Sequence, residues 1–205
     1  MQMSDVQVRQ ALVTAQGYLV DGKGSSDGVA FSDAIHGEYY GAAKEGRLFY
    51  GGNQAAIATV TTKNTTWTGL ALANPTNSGK NLILREFAWA LTVVGPAAGA
   101  LSLVMTTNSG LAAVATLGPF GCNSILNTGS VAIMDDGGTV VAGTIIAPIA
   151  TYGTGAITTW QGATHQVAKL SGGRIIPPGY AVITDTTTAT TAAFIFGFLW
   201  EELPI

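Results

Sequence analysis

Large aromatic and smaller side chains alternate most clearly at the end of the chain. Phe194, Phe196, Phe198 and Trp200 interleave with Ala193, Ile195, Gly197 and Leu199. Successive side chains of a strand point to opposite faces, so this pattern predicts a core strand with four rings on one side and smaller groups on the other. A second clear run covers 81–94, with Ile83, Phe87, Trp89, Leu91 and Val93 on one face and Arg85 as the exception there. Leu82, Leu84, Glu86, Ala88, Ala90 and Thr92 fall on the other face. Glycine, proline and asparagine punctuate further short runs. Together they predict strands at 54–62, 66–73, 81–94, 100–107, 111–117, 130–134, 139–149, 157–169, 173–176, 180–185 and 192–202. No long helical period interrupts 48–205, so the expected body is an all-β antiparallel sandwich of jelly-roll type.

Charge divides the chain near residue 47. Nearly half of the charged side chains fall within 1–47, which reads as an N-terminal arm before a body at 48–205. The arm carries at most short helices: 6–18 is read as a short helix or extended segment, and 38–45 as a short helix limited by Gly41 and Gly46. The 21–28 segment between them is a loop by composition.

Composition changes the picture in one respect. Charged residues make up 10% of 205 residues, with 47% hydrophobic residues and a net charge of −3. An ordinary soluble domain carries about 25% charge, so a free monomer would present an adhesive surface. The expectation is a surface covered by copies of the same chain or by a larger assembly. The negative balance gives no electrostatic case for nucleic acid. The 87–105 stretch is uncharged and of membrane-spanning length, but Gly95-Pro96 breaks it and Arg85-Glu86 abuts it; two strands explain it better than a membrane span. No basic-then-apolar start predicts a secretory leader. The lone Cys122 excludes an internal disulfide and reads as a buried or half-buried small residue.

The search for chemistry predicts no catalytic, cofactor or metal site, and so no enzyme. The 74–81 run NPTNSGKN lacks the first glycine, the final Ser/Thr and the following helix of a phosphate loop. The pattern G-x-S-x-G at 24–28 lies in a loop with no strand ahead of it, where a nucleophile elbow has no support. His36 and His165 lack neighbours at ligand spacing. Asp135-Asp136-Gly137-Gly138 reads as a hairpin turn rather than a calcium loop. Glu201-Glu202 point to opposite faces of a strand, which favours a solvated strand end or an intersubunit ion pair over an acid/base couple. Trp89 and Trp200 read as core, whereas Trp67 and Trp160, set among threonines, read as half-exposed. That pair keeps a carbohydrate-binding adhesin open as an alternative.

Three segments carry a resemblance. They are His36-Gly37-Glu38-Tyr39-Tyr40 with Gly46-Arg47-Leu48-Phe49; Thr68-Gly69-Leu70-Ala71-Leu72-Ala73-Asn74-Pro75 with Ser78-Gly79-Lys80-Asn81-Leu82; and Ile175-Ile176-Pro177-Pro178-Gly179-Tyr180 with Phe196-Gly197-Phe198-Leu199-Trp200-Glu201-Glu202-Leu203-Pro204. From about residue 34 onward the chain resembles virion structural proteins of tailed bacteriophages. The resemblance implies a jelly-roll subunit, homotrimeric, that decorates and cements the outer capsid surface. It implies the major capsid protein as partner, a place in the virion after assembly in the host cytoplasm, and no cofactor. A neck, tail or fibre-base component of the same fold is the other virion role it leaves open. Candidate interface residues are His36, Tyr39, Tyr40, Arg47, Phe49, Trp67 and Trp160. The 186–191 loop is expected to lie flat against a neighbouring subunit.

Overall fold

The computed structural model describes residues 23–24, 30–31, 38–61, 66–92, 98–123, 129–153 and 166–205. The chain divides into two compact units, Met1–Gly41 and Ala42–Ile205. The first contains an antiparallel pair of two-residue strands, β1 (Lys23–Gly24) and β2 (Ala30–Phe31). The rest of 21–28, and the whole of 6–18, lie outside the described residues. A short helix, α1 (Tyr40–Lys44), crosses the division. It ends at Gly46 as the sequence predicts, but Gly41, the other expected limit, lies inside it. Gly46 adopts φ +70°, its N–H donates to Ala43 and the Arg47 N–H donates to Ala42, which is a Schellman closure. The second unit therefore begins earlier than the charge boundary, because the Arg47 N–H closes this helix and its carbonyl accepts from Glu202.

That unit is an all-β sandwich of two antiparallel sheets. One orders β11 (Gln166–Ile176), β6 (Lys80–Leu91), β13 (Thr190–Pro204), β3 (Leu48–Gly52) and β8 (Phe120–Gly121), with β4 (Ile57–Thr59) also on β13. The other orders β10 (Thr144–Tyr152), β7 (Gly99–Thr107), β12 (Tyr180–Thr186), β5 (Thr66–Ala73) and β9 (Ile133–Thr139). The long strands pair in reverse: β3 with β13, β5 with β12, β6 with β11 and β7 with β10. Phe194, Phe196, Phe198 and Trp200 all lie in the core between the sheets, as their alternation predicts. Phe87 packs on Phe196 and Phe198 at ring distances of 5.7 and 5.1 Å.

Several expectations are corrected. In β6 the buried residues are Leu82, Leu84, Phe87 and Trp89, so the inward parity changes midway. Arg85 is the cause. Leu84 pairs with Trp200 and Glu86 with Leu199, which leaves Arg85 as the extra residue of a β-bulge. The 111–117 run is not a strand and ends in a 3-10 turn, Ala115–Leu117. Asp135-Asp136-Gly137-Gly138 is not a hairpin turn; it lies inside β9, paired to β5 across a register shift. Asp135 holds this segment by accepting from the N–H groups of Ala112, Asp136 and Gly137. The 87–105 stretch does span two strands, but β6 and β7 belong to different sheets. Among the described residues no helix is long and apolar enough to cross a membrane.

Candidate interaction surface

The two sheets differ on their outer sides. The five-stranded sheet carries a second apolar cluster, in which Trp67, Ala71, Val104, Val140 and Ile183 are buried with Val60 and Leu111 packed on them. Trp67 is 0% exposed and donates its indole N–H to the Thr184 carbonyl at 2.9 Å. Its half-exposed reading is overturned: flanking threonines suggested solvent, but its own chain caps the ring.

The outer side of the six-stranded sheet exposes Tyr50 (41%), Ile195 (39%), Val167 (43%) and Ile175 (51%). Its rows follow from register. Phe120, Tyr50, Leu199, Glu86 and Lys169 run side by side across five strands. The next row is Gly52, Gly197, Ala88 and Val167. Beyond it, Ile195 pairs with Ala90. Small residues thus floor a trench of about 320 Å³ beside Tyr50, Gln54, Glu86 and Leu199. Tyr50 is braced by Phe120, with ring centroids 5.5 Å apart.

Acidic groups at the end of β13 are tied within the chain. Glu201 bridges Arg47 and Arg85. Glu202 accepts from Lys80 Nζ at 2.9 Å, Ser130 Oγ at 2.6 Å and the Val131 N–H. Both side chains are buried, so the solvated or intersubunit reading is overturned. Their partners come from distant parts of the chain that local sequence does not reveal. Asn74, from the failed phosphate loop, donates from Nδ2 to the carbonyls of Lys80 and Ile176, both at 2.8 Å. It pins the β5–β6 turn against β11. Among the described residues no three His, Cys, Asp or Glu side chains gather to hold a metal.

Of the interface residues expected from the sequence, Phe49 and Trp67 are buried within the body. His36, Trp160 and also His165 lie outside the described residues. Tyr39 is half-buried and Tyr40 is exposed at the start of α1. Arg47 serves Glu201 and Glu45. Phe49 is corrected to core, 1% exposed and 6.2 Å from the Trp200 ring. Cys122 is exposed rather than buried; partial desolvation still raises its thiol pKa above the ordinary value. The 186–191 segment is only partly outward. Thr186 and Thr190 are buried, and both bond the Thr59 hydroxyl, at 2.7 and 2.8 Å.

Sequence reasoning missed Tyr50, Leu199 and the Gly52–Gly197 row. The signal available was the smaller half of the terminal alternation, whose Gly197 sits in the middle of the strongest strand. No family model, curated protein or solved structure matches this chain.

Proposed function

We propose that this chain is a bacteriophage virion structural protein: a homotrimer that decorates the outer capsid surface, contacts the major capsid protein and bridges neighbouring capsomers. The observation that carries the reading is the apolar face that the six-stranded sheet exposes among the described residues. On a chain with only 10% charged residues, such a face is an interaction site in need of a cover. We further read the sandwich as a jelly roll. The reverse pairing of β3, β5, β6 and β7 with β13, β12, β11 and β10 supports this, because a long antiparallel ribbon rolled over itself yields that order. The mechanism is area and repetition. Identical contacts around a closed rotation give a ring, and many modest contacts over a lattice add through avidity. The carbohydrate alternative loses one of its two tryptophans, since Trp67 is in the interior.

Mixing the purified protein with undecorated shells tests the reading. Saturable binding, with density on the outer capsid surface by electron microscopy, is the expected result. Density confined to a neck or tail, or no affinity for shells, overturns the capsid assignment.

A further inference from the structure

We infer that the outer face of the six-stranded sheet is the surface on which a second copy of this chain docks, with the Gly52–Gly197–Ala88 trench receiving side chains of that copy. The inference rests on the self-association in the reading above, and not on the virus.

The central observation is Gly197. Glycine inside a strand costs roughly 0.5–1 kcal/mol relative to alanine and often marks a place where another chain approaches closely. Gly52, its neighbour across the ladder, is required by this fold: a Cβ there would meet the Phe196 carbonyl oxygen at 2.5 Å. Gly197 is not. A Cβ on it would find its nearest atoms at 3.7 and 3.9 Å, which is ordinary contact, and its φ lies outside the left-handed region. Packing among the described residues gives no reason for a bare position in the centre of β13. A visitor to the trench does.

Size suits a second copy. Strands lie about 4.8 Å apart and rise about 3.3 Å per residue. β6, β11 and β13 over Ile195–Leu203, with the shorter β3 and β8, therefore give a face of roughly 500 Å². A patch of equal size on a different part of the next copy, as a threefold ring requires, brings the total to about 1,000 Å², above most lattice contacts. Charge also suits it. Glu86 stands across the ladder from Lys169, and Glu201 is held by Arg47 and Arg85, so both signs are interspersed and copies meet without a single-sign barrier. Three of the sheet edges offer poorer routes. β10 carries Pro148 and two register shifts, the β11 ladder is interrupted between Lys169 and Arg174, and β8 is two residues long. Such edges resist strand addition.

The test uses the full chain with Ile195→Glu, Gly197→Leu and Ile175→Glu, each at an outward position. Near-ultraviolet circular dichroism checks the fold, and light scattering over a concentration series reads association. The wild type is expected to form a defined oligomer, and the variants to keep the fold while self-association weakens at least tenfold. Three variants spread over two strands keep the inference testable if one does not fold. Variants that associate like the wild type, or a monomeric wild type, overturn it. Variants that associate normally but lose shell binding also overturn it, because the face then belongs to the shell. A wild-type oligomer that the variants dissociate, yet that ignores shells, supports this inference and removes the capsid reading instead.

Discussion

Gly52 and Gly197 face each other across a ladder and have opposite tolerances. A methyl group at Gly52 drives into the Phe196 carbonyl, so Gly52→Ala is expected to cost about 1–3 kcal/mol in urea unfolding. Gly197→Ala is expected to be neutral or to stabilise the subunit by up to roughly 1 kcal/mol. Trp67→Phe leaves the buried Thr184 carbonyl without its indole donor, for an expected loss of about 1–3 kcal/mol. Tyr152 adds a pH dependence. Burial, the leading cause, raises its phenol pKa above the ordinary tyrosine value of about 10. The folded state therefore holds this proton more tightly than the unfolded chain does. Its contribution is complete below pH 10 and declines as pH rises through the folded value. Tyr152→Phe should remove that alkaline slope in a series of unfolding curves. Legibility at this scale followed local context. Phe194 to Trp200 announced their burial by alternation, whereas Trp67 lay among threonines and its cover comes from residues as distant as Val140.

Strand 66–73 coincides with β5, and 100–107 and 180–185 each fall within one residue of β7 and β12. Each is a short apolar run bounded by turn formers. β6 was legible in extent but not in facing, because one extra residue inverts the parity of all that follow. Arg85 had flagged the place by breaking the apolar row; its guanidinium reaches Glu201 instead. Replacing Arg85 with methionine leaves Glu201 with Arg47 alone, and an expected loss of about 1–3 kcal/mol should appear in thermal or urea unfolding. An unchanged midpoint would mean that the bulge, and not the ion pair, organises this corner. The 111–117 and 135–138 misreadings share a cause. Asp135 supplies side-chain bonds that substitute for ladder bonds, so glycine-rich sequence stays in a strand while its apolar neighbour becomes a turn.

At the scale of the molecule, two layers and a buried aromatic core were readable from the sequence, and the inequality of the outer faces was not. That inequality depends on which loops return over which sheet. In the function proposed above, another copy occupies the exposed side of the body, and the first 41 residues extend the contact set on the capsid. Removing 1–41 is expected to leave a folded body that binds shells poorly; shell binding as tight as that of the full chain would exclude a role for the arm. The most direct measurement is the mass of the purified full chain in solution, by sedimentation equilibrium across a wide concentration range. One closed oligomer of three copies is the expected result. A monomer that stays soluble and dispersed at high concentration would contradict the account at its base.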